Sequence, residues 1–172
     1  MHPIPEEESK DGHPLWLVLD EVMDPQNLGA LLRSAYFLGA DGVIVCSKNS
    51  AGLTPSVSKA SAGAMELYQV YSVSNLMQFL NWSKELGWQV IGSALGENSV
   101  PVSSTKLTKP TLLVMGNEGR GLRTNVLREC DVLVQVQAIV ASDLKDLGDD
   151  VLDSLNVSVA GGILIHHFLC AK

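Results

Sequence analysis

Three polar stretches interrupt an otherwise apolar chain of 172 residues, and their residue types could bind and orient a ligand. The first is Asp24-Pro-Gln-Asn-Leu-Gly-Ala-Leu-Leu-Arg-Ser-Ala, which puts Asn27 in a first helical turn and Arg33 nearly two turns further on. An arginine amid Leu31, Leu32, Ala35 and Leu38 needs a partner or a route to water. Taken alone, a structural salt bridge is its plainest reading. The second stretch is Gly116-Asn-Glu-Gly-Arg-Gly, whose glycines permit positive φ and close backbone approach to a ligand. It holds Glu118 at a strand's C-terminal end, and a tight strand-to-helix turn is the plain alternative. The third is Ser154-Leu-Asn-Val-Ser-Val-Ala-Gly-Gly. Here Ser154 reads as an N-cap accepting from a first-turn N–H, with Asn156 inside that turn. A helix N-terminus presents free N–H groups to whatever lies before it. A capped, buried C-terminal helix with locally satisfied serines is the alternative.

Several chemistries are excluded or disfavoured. The order Gly-x-x-Gly-x-Gly is not the dinucleotide fingerprint, and no Gly-x-x-x-x-Gly-Lys-Ser/Thr occurs, so a P-loop is absent. Ser56-Val57-Ser58-Lys59 matches Ser-x-x-Lys but lacks the Ser-Asp-Asn and Lys-Thr-Gly companions of acyl-serine enzymes. A domain for a phosphorylated small molecule would want a basic residue or glycine cradle after the first strand, where Asp20 and Glu21 stand instead. No cysteine pair has metal-ligand spacing, and His166 and His167 are adjacent on a helix, so no metal site is expected.

The elements that must position these stretches alternate along the chain. Leu15 to Leu19 is a continuous apolar run, the mark of a strand buried on both faces. Asp24-Pro25 supplies an N-cap and a proline at the first helical position, opening a helix that stops at Gly39. Gly42 to Cys46 is a second buried strand, giving a β-α-β opening and hence a parallel sheet. A short helix follows from Pro55, a strand from Leu67 to Tyr71, a helix capped by Ser74 through Leu86, and a strand from Trp88 to Ser93. Residues 96 to 110 read as loop, Thr111 to Met115 as a strand, Thr124 to Cys130 as a helix and Val132 to Val136 as a strand. A long polar connection leads to the terminal helix. This alternation predicts an α/β doubly wound sheet, and each of the three polar stretches follows a strand end, where such sheets bind ligands.

Composition adds bounds. The length suits one domain, with residues 1 to 14 as a tail or linker remnant and 15 to 172 as the domain. Hydrophobic residues make up 46% and charged residues 18%, which points to an interface and a homo-oligomer. Net charge is −7, against a broad basic face for nucleic acid. Cys46, Cys130 and Cys170 read as reduced core residues of an intracellular protein. No apolar run reaches membrane-spanning length, and no targeting segment is in view.

In this order, Asp24 to Gly29 with Arg33, Gly116 to Gly119, and Ser154 to Ala160 resemble the three motifs of the SpoU/TrmH branch of the SPOUT methyltransferases. The likeness runs from Trp16 to Leu169, and Leu53 to Glu66 is most similar to the mitochondrial large-subunit rRNA ribose methyltransferases of that branch. The resemblance implies a parallel sheet flanked by helices with a C-terminal trefoil knot, S-adenosylmethionine bound in the knot, a homodimer, and methyl transfer to a ribose 2′-oxygen in RNA. It places Gly116, Val136 and Leu155 on the cofactor. Asn27, Arg33, Glu118, Ser154 and Asn156 become the catalytic and RNA-facing set. It further implies large-subunit rRNA ahead of tRNA as substrate, mitochondrial residence, and a missing N-terminal RNA-binding domain. A non-catalytic RNA-binding or assembly member of the same fold is the alternative.

The residue types suit that chemistry. Methyl transfer is an in-line displacement, so the protein must align the oxygen and help remove a proton from a weakly acidic hydroxyl. Arg33 takes the position of the family's proton acceptor, but a guanidinium stays charged. Its expected role is therefore to fix the RNA phosphate or stabilise the forming alkoxide. The chain departs from the family in having Val136-Gln137 where Ile-Pro is usual, followed by a long acidic link.

Overall fold

A computed structural model describes residues 13–137 and 154–170. Seven strands, all parallel, form one sheet in the order β3-β2-β1-β6-β4-β7-β5. They are β1 (Leu15–Leu19), β2 (Gly42–Cys46), β3 (Val70–Val73), β4 (Gln89–Ser93), β5 (Val100–Pro101), β6 (Thr111–Met115) and β7 (Val132–Gln135). The helices are α1 (Pro25–Leu38), α2 (Pro55–Ala60), α3 (Ala64–Leu67), α4 (Leu76–Glu85), α5 (Thr124–Glu129) and α6 (Val157–Cys170).

The three apolar runs Leu15–Leu19, Gly42–Cys46 and Thr111–Met115 form the centre of the sheet, buried along their whole length. Successive side chains point to opposite faces. Leu15, Leu17, Leu19, Leu113 and Met115 pack under α1, α2 and α6, while Trp16, Val18, Leu112 and Val114 pack under α4 and α5. Each buried leucine of this kind holds the fold by about 2–5 kcal/mol relative to alanine. β1 and β6 lie side by side, yet the helices that follow them pack on opposite faces. Their C-terminal ends therefore open a crevice at a reversal of strand order, the place where open α/β sheets take ligands.

α1 is fixed at both ends by its own chemistry. Asp24 Oδ1 accepts from Gln26 N at 3.0 Å, a cap worth about 1 kcal/mol. Gly39, at φ +82°, turns the chain out, and its N–H closes onto the Ala35 and Tyr36 carbonyls. Laterally, α1 is pressed between two helices. A Cβ on Gly29 would lie 2.9 Å from Val57 O and from Ser61 N, at the end of α2, and a Cβ on Gly161 of α6 would strike the Leu31 side chain. At its far end α6 is tied to the loop after β5 through His167 Nε2, 3.0 Å from Thr105 O.

Four expectations need correction. The strand expected at Leu67–Tyr71 starts at Val70, because Gly63 at φ +84° and Ser61 Oγ, accepting from Met65 N, wind Ala64–Leu67 into one helical turn. Asn75 caps α4 in place of Ser74, accepting from Gln78 N at 3.1 Å. The 96–110 loop contains β5 and a 3-10 turn at Val102–Ser104. Cys46 is buried as expected and burial pushes the half-buried Cys130 thiol up to about 12, but Cys170 is exposed. The tail, as far as residue 12, and the acidic link at 138–153 lie outside the described residues. Pro14, placed in the tail, already accepts a ladder bond from Thr111 N at 2.8 Å.

The helix packing predicts opposite outcomes for two glycines. Gly29→Ala puts its methyl against α2 backbone that cannot yield, and should lower stability by about 1–3 kcal/mol. Gly162→Ala meets only Ser34 Oγ at 3.7 Å and should be neutral or stabilising by up to about 1 kcal/mol through helix propensity. Urea unfolding midpoints at one protein concentration check both, and equal effects would refute the close-packing reading.

Candidate active site

The first and third polar stretches meet through one run of hydrogen bonds. Asp24 Oδ2 accepts from Asn27 Nδ2 at 3.0 Å, and Asn27 Oδ1 accepts from Asn156 Nδ2 at 3.1 Å. Asn156 Oδ1 in turn accepts from Ser158 N at 2.9 Å and Ser158 Oγ at 2.6 Å. The run joins the N-termini of α1 and α6, two helices 129 residues apart at the contact. Asn27 is only 7% exposed, so its amide must be paired to be tolerated there. The capping assignment changes accordingly: Asn156, and not Ser154, is the N-cap of α6, with Ala160 N donating to its carbonyl. Ser154 lies two residues before the cap and is exposed. Val157 decides the register, because its side chain is buried and the helix must begin where it turns inward.

The second stretch is a closed hairpin. Asn117 and Gly121 exchange backbone bonds of 3.0 and 2.9 Å, with Gly121 at φ +67°. A Cβ on Gly116 would lie 2.5 Å from the Gly121 carbonyl oxygen, so glycine there lets the hairpin close on itself. Asn117 Oδ1 accepts from Gly119 N and Arg120 N at 3.0 and 3.1 Å, which leaves Glu118 exposed at the tip. Asn117 Nδ2 donates to Glu21 O at 3.1 Å and so reaches the turn that leads to Asp24.

Beneath both loops lies an ion pair that the sequence did not point to. Asp20, 1% exposed, accepts from Arg123 Nε and Nη2 at 2.8 and 2.7 Å. The Asp20 hydrogen bond holds the guanidinium pKa above its ordinary value. Asp20 itself was legible as the residue ending an apolar strand, a position where a carboxylate needs a cation.

The remaining expected residues are placed as follows. Gly116 follows β6 directly and is buried, Val136 follows β7 and packs against the core, and Leu155 precedes the α6 cap and is exposed. Leu95, after β4, is another exposed apolar side chain at this edge. Arg33 is exposed and its side chain has no hydrogen-bond or ion-pair partner among the described residues, so the structural salt bridge is not found there. It sits about 9 Å along α1 from Asn27, by helical rise alone. The chain thus brings Asn27 and Asn156 into contact and ties the loop bearing Glu118 to the Glu21 turn that leads into α1, while Arg33 lies further along that helix. Among the described residues no three His, Cys, Asp or Glu side chains cluster as metal ligands, and no helix is long and apolar enough to cross a membrane.

Residues 14–166 match the SpoU rRNA Methylase family. The chain belongs to that family. It is 43% identical to the human "rRNA methyltransferase 1, mitochondrial" over 94% of this chain and 47% of that protein. It is 42% identical to the "23S rRNA (guanosine-2'-O-)-methyltransferase RlmB" of Pseudomonas syringae over 92% of this chain and 59% of that one. The chain spans about half the length of these curated relatives. Among solved structures, the AdoMet-bound rRNA methyltransferase of Sinorhizobium meliloti superposes with a TM-score of 0.76, at 29% identity, over 91% of this chain and 57% of that one. The parallel sheet flanked by helices is thus the SpoU/TrmH fold, and the three polar stretches lie within the matched region.

The Asn27 amide gives a pH-resolved test. Asn27→Asp replaces the donor facing Asp24 with a second carboxylate and should cost about 1–3 kcal/mol at neutral pH. Like-charge repulsion raises the folded-state pKa of the pair, so the folded protein binds protons more tightly and the deficit against wild type shrinks as pH falls through the carboxylate range. Asn27→Ala should lose a similar amount with a much shallower pH dependence, since it removes a donor to Asp24 but adds no second charge. Denaturant unfolding from pH 7 to pH 4 distinguishes them; parallel curves would show that Asn27 does not face Asp24.

Proposed function

We propose that this chain is a methyltransferase domain that moves the methyl group of S-adenosylmethionine onto a ribose 2′-oxygen of RNA, with a guanosine of mitochondrial large-subunit rRNA as the target class. The observation that carries the reading is the Asp24–Asn27–Asn156 run, which joins two motifs from opposite ends of a SpoU-family chain next to the hairpin that presents Glu118. The choice of guanosine and of large-subunit rRNA follows the names of the Pseudomonas and human relatives, and the mitochondrial compartment follows the human one.

The residues present fit the cofactor. An adenosine needs an apolar slot and backbone hydrogen-bonding groups, and this chain offers the buried glycine backbone at Gly116, the partly buried Val136 after β7, and the exposed apolar side chains of Leu155 and Leu95. Gly116, Val136 and Leu155 would hold it. When bound, S-adenosylmethionine supplies an electrophilic methyl carbon whose transfer needs no metal and no covalent protein intermediate. The protein's own part is alignment and charge. Asn27 and Asn156 are consumed largely in fixing the two helix N-termini, so their role is to hold the floor of the site. Ser154, free of the cap, and Glu118, at the hairpin tip, remain to hydrogen-bond the ribose. Arg33, unpartnered within the described chain, remains to fix a phosphate or stabilise the forming alkoxide.

Self-association suits this arrangement. Phe37 on α1 is 83% exposed, and Val159 and Ile163 on the neighbouring α6 are exposed as well, an apolar face that a second copy would cover. A homodimer would also bring a second Arg33 into play. RNA would be held locally, by Arg33, Lys48 and Arg120, and not by overall charge, which is −7.

Arg33→Ala should reduce methyl transfer by on the order of 100- to 1000-fold while leaving S-adenosylmethionine affinity within a few-fold of wild type. Incorporation of labelled methyl into transcribed large-subunit rRNA, with calorimetry for the cofactor, measures both. Undiminished turnover would remove Arg33 from the mechanism, and a wild-type chain that binds no cofactor would favour a non-catalytic role.

A further inference from the structure

β1 and β6 share a last ladder bond, from Asp20 N to Met115 O at 2.9 Å. Beyond it the two chains part, β1 toward α1 on one face of the sheet and β6 toward α5 on the other. Sheet pairing therefore cannot keep the turn before α1 in register with the Gly116–Gly121 hairpin; side chains must do so. Two side chains from the hairpin segment reach across. Arg123 grips Asp20 with two parallel bonds of 2.8 and 2.7 Å, and its Nε lies 3.8 Å from Glu21 Oε1. With the Asn49 amide oriented to satisfy both of its neighbours, its oxygen accepts from Arg123 Nη1 at 3.0 Å, so the loop after β2 joins the same guanidinium. Asn117 Nδ2 donates to Glu21 O at 3.1 Å.

The turn being held is a strained one. Glu21 has φ +60°, a left-handed conformation that a residue with a Cβ adopts only when its surroundings impose it. Asn117 takes the carbonyl of that residue and Arg123 takes the carboxylates on either side of its amide. The grip is directional as well as electrostatic. Only a planar fork can serve both Asp20 oxygens and Asn49 together, and a lysine would satisfy one at a time.

We propose that Arg123 and Asn117 are positioning residues that clamp the Asp20–Glu21 turn to the Gly116–Gly121 hairpin and so fix Glu118 relative to Asn27 and Asn156. The catalytic consequence rests on the methyltransferase reading; the clamp itself does not.

Amide hydrogen exchange on the intact chain tests the clamp without reference to activity. In Arg123→Met, and in Arg123→Lys should the first variant fold poorly, the hydrogen-bonded amides of Asp20, Gln26 and Leu28 should exchange at least about tenfold faster than in wild type, while those of α4 keep their rates. Asn117→Ala should loosen the same residues. Acceleration confined to 116–123, acceleration spread evenly over the sheet, or full protection in Arg123→Lys would each overturn the proposal. In the activity arm, Arg123→Lys should lose on the order of 100-fold in kcat on transcribed large-subunit rRNA, the scale of an ångström's misplacement, with cofactor affinity unchanged within about threefold. Equal losses in kcat and in cofactor affinity would show a collapsed site and not a misaligned one. A wild-type protein with no turnover, even when joined to an N-terminal RNA-binding domain, would sink the methyltransferase reading, and the exchange rates would still decide the clamp.

Discussion

Close contact of α1 with two helices at once is the constraint on which the rest of the site depends. Helix axes normally stand 8–10 Å apart because side chains keep them there. Gly29 removes the side chain facing α2, and Gly161 removes the one facing Leu31 from α6. Only with α6 this near can the short amide of Asn156 reach the short amide of Asn27. Two glycines, chosen for their lack of a side chain, thus determine where polar atoms from positions 27 and 156 meet. The same packing leaves the outer sides of α1 and α6 adjacent, with Phe37, Val159 and Ile163 turned to solvent as Arg33 is.

Polarity at the site is sparing and almost wholly satisfied. Asp20 and Asn27 are buried polar side chains at this edge, and each has its partners within 3.1 Å. Burying such groups unpaired would cost about 1–3 kcal/mol each, and more for the carboxylate. Pairing them converts that cost into a directional preference, since an amide or a fork bond is lost by small rotations that an apolar contact would tolerate. The groups left over are the exposed ones: Arg33, Glu118, Ser154 and Arg120. A rigid, saturated floor beneath a few free polar groups is the arrangement expected where an outside ligand must be oriented. For the RNA substrate proposed above, the few exposed cations would matter more than the net charge.

Much of this fold is legible in the sequence, for identifiable reasons. Strands β1, β2 and β6 have both faces covered, so their apolar runs are uninterrupted and their ends sharp. The start and stop of α1 are written in Asp24-Pro25 and Gly39, residues whose backbone chemistry admits few alternatives. Legibility fails at the sheet edge, where β3 is only half-buried and Leu67 is 72% exposed, so hydrophobicity no longer marks the strand. It fails again where two capping residues lie close together: Ser154 and Asn156, like Ser74 and Asn75, are equally able caps, and only the buried face of the following helix chooses between them. The Asp20–Arg123 pair was out of reach because 103 residues separate its members, and nothing local to Arg123 betrays the partner. Of the loops that the family motifs marked, the first and third meet through Asn27 and Asn156, and the second is tied to Glu21 through Asn117. The structure adds that Asn27 and Asn156 spend their amides on each other and that Arg33 stands clear of both.

The proposed function requires loops from the front, middle and end of the chain to converge on one methyl donor. An amide NMR titration with S-adenosylhomocysteine tests it most directly, because every loop reports separately in one experiment. Amides at Gly116, Val136 and Leu155 should shift together along a single binding isotherm, with smaller shifts at Asn27 and none in α4. Shifts confined to one of the three loops, or three loops responding with unrelated affinities, would contradict it.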